Sequence, residues 1–116
     1  MDERLSAALE FSNYRHALAL EKRRLQEKLK AELTMAQNGG IFSIDRTFLG
    51  FLNFISEDND GESVIVLDDR QVPILIEDFG AFRREAIQKY FQATNQYYID
   101  YEALKKKRTV KSLVDL

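Results

Sequence analysis

The chain has 116 residues, 45% hydrophobic and 31% charged, and its eight Phe and five Tyr exclude general disorder and favour one core-forming domain over 1–116. It has no Cys and a single His, which excludes disulfides, thiolate metal sites and thiol chemistry. The net charge is −2 but unevenly placed, with nine acids and two bases in residues 41–80 against ten acids and fifteen bases elsewhere.

Residues 2–37 contain neither Pro nor Gly. Ala7, Phe11, Tyr14, Leu18, Leu25, Leu29, Leu33 and Ala36 share one face at about 100° per residue, which predicts a long helix over 2–37. Lys22 interrupts that stripe with an aliphatic stem that can lie along it. Asn38-Gly39-Gly40 is read as the stop, since glycine accepts the left-handed conformation that closes a last turn.

Ile41-Phe42-Ser43-Ile44 predicts a short strand. Asp45 then caps a short helix in which Phe48, Phe51, Leu52 and Ile55 recur at i, i+3, i+4 and i+7. Glu57 to Gly61 reads as a polar loop. The runs Val64-Ile65-Val66-Leu67 and Val72-Pro73-Ile74-Leu75-Ile76 flank the turn Asp68-Asp69-Arg70-Gln71 and predict a hairpin. Pro73 cannot donate to a ladder, so its strand belongs at an edge.

Phe79, Phe82, Ala86, Tyr90, Ala93, Tyr97, Tyr101 and Leu104 are spaced 3-4-4-3-4-4-3, which predicts a second long helix over 78–108. Its ring-bearing side is expected to pack on residues 5–36. Glu77 and Asp78 suit its positive N-terminus, and the bases Lys105 to Arg108 its C-terminus. Residues 109–116 read as a loose tail. The fold class is therefore α+β, mainly α: two long antiparallel helices joined by a strand–helix–hairpin segment over 41–76.

No constellation for catalysis emerges, and neither an enzyme, a cofactor nor a metal is expected. His16 lies on the helix flank, and no nucleophile is tied to it by motif. Asp58-Asn59-Asp60-Gly61 resembles half of a calcium loop, but Leu67 stands where the bidentate Glu belongs. Asp68 and Asp69 are adjacent and are expected to point to opposite sides, away from paired acid–base work. Gly39-Gly40 lacks the further glycines and Lys of a phosphate loop.

Binding is the remaining class. Ile87, Phe91 and Tyr98 widen the second stripe on one flank, which predicts homo-oligomerisation or docking of another protein there. The alternative is nucleic acid, held by Lys22, Arg23 and Arg24 and by Lys105, Lys106, Lys107 and Arg108, with tyrosines beside them for stacking. No apolar run approaches the roughly 18–20 residues needed to span a bilayer, and Met1-Asp2-Glu3-Arg4-Leu5 lacks a signal-peptide layout, so a cytoplasmic location is expected.

The helix–hairpin–helix layout resembles prefoldin-type chaperone subunits, from which the helix at 45–56 departs. The segments Ala8-Leu9-Glu10-Phe11-Ser12-Asn13-Tyr14-Arg15, Asn38-Gly39-Gly40-Ile41-Phe42 and Ala93-Thr94-Asn95-Gln96-Tyr97-Tyr98 are similar to small uncharacterised proteins of tailed phages infecting marine cyanobacteria. That resemblance implies a phage context, in host cytoplasm or virion, and nothing catalytic. In it, the tail Ser112-Leu113-Val114-Asp115-Leu116 resembles the C-terminal peptides that hold a sliding clamp, with Leu113, Val114 and Leu116 as anchors.

Overall fold

In the computed structural model, which describes residues 2–107, seven elements follow one another. They are α1 (Glu3–Glu32), β1 (Thr34–Gln37), β2 (Gly40–Ser43), α2 (Arg46–Asn59), β3 (Val64–Leu67), β4 (Pro73–Ile76) and α3 (Phe79–Lys105). The fold is mainly α with two small antiparallel pairs, β1–β2 and β3–β4. Two compact units form: a central one, Leu29–Thr94, and a terminal one with the described residues up to Lys28 and from Asn95 onward.

The first helix ends at Glu32, five residues before the expected stop, because residues 34–37 pair with Gly40–Ser43 instead. Asn38 and Gly39 both take positive φ, 49° and 82°, the signature of a two-residue hairpin turn of type I′. Asn-Gly was thus a hairpin signal rather than a helix stop. The face changes accordingly: Ala36 is exposed, while Met35 and its cross-strand partner Phe42 are each only 1% exposed. At the other end of α1 the expected stripe also fails, since Ala7 is exposed and Phe11 is 61% exposed.

The remaining boundaries follow their local chemistry. The Asp45 carboxylate accepts from Phe48 N at 2.7 Å and starts α2, as its N-cap position required. The helix then runs through the expected polar loop to Asn59, whose side chain donates to the Ile55 carbonyl at 2.8 Å. Asp78 caps α3 by accepting from Ala81 N at 3.1 Å. Met1, Arg108 and the whole tail, with Leu113, Val114 and Leu116, lie outside the described residues.

The central unit holds the larger core. Phe42 meets Phe82 edge-on at 5.2 Å between ring centroids and Phe48 at 5.9 Å, and Phe79 stands 6.4 Å from Phe82. Leu52, Val66, Ile74 and Ile76 close around these rings. The first rings of α3 therefore share a core with β2, α2 and the β3–β4 hairpin, and of residues 5–36 only the end segment, with Met35 buried and Leu33 packed against it, joins them. Gly40 makes this packing possible, because a Cβ there would meet Ile74 Cγ1 at 2.6 Å.

In the terminal unit α1 and α3 run antiparallel: Lys28 pairs with Asp100 at 3.1 Å, and Tyr14 Oη donates to the Lys107 carbonyl at 3.0 Å. Leu25 and Leu104 form its small core, with Tyr14, Ala17, Leu18 and Tyr97 packed around them. The stripe of α3 is buried along its whole length, from Phe79 to Leu104, with its tyrosines half-buried.

Candidate functional site

Both strands of the β3–β4 hairpin are apolar at every position, and in a sheet successive side chains alternate faces. Val66, Ile74 and Ile76 take the inner face and enter the core. Ile65, Leu67 and Leu75 take the outer face, where they are 58%, 54% and 48% exposed. The register puts Ile65 directly opposite Leu75, and Leu67 opposite Pro73, so the outer residues form one apolar surface. An antiparallel pair with one solvated face normally alternates apolar with polar residues; apolar residues on both faces belong to strands covered on both sides.

The surface continues onto α2. Phe51 and Leu67 line the two sides of a cleft of about 460 Å³ that also includes Thr47, Asp45, Asp69 and Gln71. Phe54, on the same side of α2 as Phe51 and Thr47 at about 100° per residue, is 81% exposed. Contiguous exposed apolar side chains of this kind are the usual mark of an interaction site. Sequence reasoning placed none of these residues in a site. The signal was present in the runs Val-Ile-Val-Leu and Pro-Ile-Leu-Ile, which read as doubly buried strands in a chain with too few elements to cover both faces.

The acidic turn beside the cleft is structural. Asp68 is 5% exposed; its Oδ1 accepts from Arg70 N and Val72 N, each at 2.9 Å, and its Oδ2 from Ile41 N at 3.2 Å. Asp69 accepts from Ser43 N at 3.0 Å and donates its own N–H to the Ile41 carbonyl at 2.9 Å. The two carboxylates therefore both turn to β2 rather than to opposite sides. Together they satisfy the edge of β2 that β1 leaves open. The Val72 N–H bond, above all, holds the Asp68 carboxyl below its ordinary range; burial opposes it, and the Ile41 and Arg70 N–H groups reinforce it.

The residues singled out from the sequence are distributed differently. Phe91 is 58% and Tyr98 66% exposed, while Ile87 is half-buried. Ile87 and Phe91 belong to the central unit and Tyr98 to the terminal one. Among the bases, Arg24 pairs with Glu21 and Lys105 with Glu102, each at 3.0 Å, and Lys22 Nζ sits 5.8 Å from the Tyr101 ring centroid. The Glu102 carboxylate raises the Lys105 ammonium above its ordinary value, and the Gln96 amide, ahead of Lys28, lowers Asp100. Lys22, Gln26, Tyr97, Tyr98 and Tyr101 line a second cleft, about 310 Å³, inside the terminal unit.

Other motifs resolve into surface and capping roles. His16 is exposed on α1. Asp58 and Asn59 lie in the last turn of α2, and Asp60, in the turn that follows, faces Arg83 at 3.7 Å, so the half calcium loop is split between a helix end and a turn. No group of three or more His, Cys, Asp or Glu able to hold a metal ion occurs among the described residues. No helix among them is long and apolar enough to cross a membrane. Comparison with protein-family models, with curated proteins and with solved structures returns no match.

Proposed function

We propose that the chain is a non-enzymatic interaction or assembly protein, and that the outer face of the β3–β4 hairpin is its principal docking surface. The observation that carries this is the exposure of Ile65, Leu67 and Leu75 on a hairpin whose other face is core. Burying such a face returns about 25 cal/mol per Å² of apolar surface removed from water. The exposed rings of Phe91, in the central unit, and of Tyr98, in the terminal unit, are each further contact points for self-association. A phage-related setting rests on the resemblance of the three sequence segments.

A photoreactive amino acid placed at Ile65 tests the reading in cells. Cross-linking from position 65 to a protein, with none from the exposed position Glu57, is the expected result. Equal labelling at both positions, or none at either, would remove the hairpin face as a docking surface.

The tyrosine cleft favours a second reading, nucleic-acid association. Tyr97, Tyr98 and Tyr101 offer π-faces beside Lys22, with Arg23 and Lys106 exposed nearby in sequence. On this reading a single-stranded oligonucleotide binds with steep salt dependence, and Tyr98→Ala weakens it about 5- to 100-fold. Absence of a gel shift at low salt defeats it. Clamp binding by Leu113, Val114 and Leu116 belongs to the same reading.

A further inference from the structure

We infer that the partner of the hairpin face is a basic amphipathic helix, laid across Ile65, Leu67 and Leu75 with one apolar side chain entering the Phe51–Leu67 cleft. This rests on the reading of that face as a docking surface.

Three observations select the occupant. The first is geometric. Each strand has four residues, so the face is about 13 Å long and two strands wide. One helix, about 10 Å across, covers that area, whereas a second sheet would overhang it. The second concerns the edges. Pro73 lacks an N–H, and the Leu75 carbonyl already accepts from Asn38 Nδ2 at 2.7 Å, so β4 is a poor template for an added strand.

The third is charge. The central unit holds eleven Asp and Glu against six Lys and Arg. Exposed Glu62 and Glu77 flank the open end of the hairpin; exposed Asp45 and Asp69 stand at the cleft beside the turn. Arg46 and Arg70 are the bases nearest in sequence to that end. A face rimmed this way repels a second copy of itself and attracts Lys and Arg flanking an apolar stripe.

The test uses the full chain and two synthetic peptides with the same Leu stripe, one flanked by Lys and one by Glu. Fluorescence anisotropy is expected to show the Lys-flanked peptide binding at least tenfold tighter than the Glu-flanked one, with a gain of peptide helicity. Ile65→Ser and, separately, Leu75→Ser weaken it at least tenfold with unchanged thermal midpoints. Equal binding by wild type and both variants overturns the proposal, because the contact is then general electrostatics elsewhere. A bound peptide that stays non-helical overturns it as well. If neither peptide binds while a photoreactive residue at Ile65 still labels a protein, the basic-helix inference falls and the docking face stands. If that label is on the chain's own copy, the occupant is a second copy and the inference is likewise overturned. If nothing binds and nothing is labelled, both readings fall together.

Discussion

Phe42→Ala is expected to lower the stability of the central unit by about 3–5 kcal/mol, the usual range for removing a fully buried phenyl ring. Phe42 is 1% exposed and packs on both Phe48 and Phe82, which also meet each other, so truncation opens a cavity lined by rings rather than one that a flexible chain can fill. That loss is a large share of the roughly 5–15 kcal/mol available to a domain. Urea unfolding followed by circular dichroism measures it. Phe54→Ala is the matched control: its ring is 81% exposed, and the change there stays within about 0.5 kcal/mol. Similar losses at the two positions would mean that the aromatic core is misassigned. The same control bears on function, because the Phe54 ring belongs to the surface proposed for docking.

Asp68→Ala is expected to lower the thermal midpoint by on the order of 5–10 °C, since it strands the N–H groups of Ile41, Arg70 and Val72 at once. The damage is not local to the turn. Asp68 joins the β3–β4 turn to β2, so both hairpins loosen where they meet. Asp68→Asn is milder, because one amide oxygen can still accept from Arg70 and Val72 while its NH₂ group faces Ile41 N–H.

The pH dependence separates charge from shape. The folded carboxyl titrates below its ordinary value, so its stabilisation is complete above that value. It is lost as pH falls from about 4 through the depressed folded value. Thermal midpoints of the wild type should therefore drop over that window, and Asp68→Asn should flatten this part of the profile. A profile that Asp68→Asn leaves unaltered would show that other carboxylates control acid unfolding.

These two predictions concern the platform on which the proposed docking face is mounted. The inner residues Val66, Ile74 and Ile76 anchor the hairpin in the aromatic core. The Asp68–Asp69 turn fixes its far end to β2. A docking surface on so short a hairpin needs both restraints, because an isolated two-stranded hairpin is marginally stable in water. Loss of either restraint should weaken partner binding even though no contact residue is altered.

The sequence by itself determined the elements whose pattern is long or chemically explicit. The eleven-residue repeat specified α3 and its buried stripe, because helical periodicity over eight positions admits one face. Asp45 specified a helix start, because its carboxylate satisfies an N–H group that no helix can satisfy internally; Asp78, read from the sequence only as suiting the helix dipole, caps α3 in the same way. The β3–β4 hairpin was equally legible from two β-branched runs about a polar turn. The first hairpin needed both: Asn38-Gly39 encodes its turn, but residues 34–37 are also compatible with a helix, and pairing with Gly40–Ser43, against Ile74, makes them a strand. Tertiary structure alone decided that Asp68 and Asp69 serve β2, a segment more than twenty residues away, since no local pattern encodes a distant strand edge. The exposure of Ile65, Leu67 and Leu75 was decided the same way. Period-two alternation tells which residues share a face, but which face is left without a cover depends on the number and placement of the other elements.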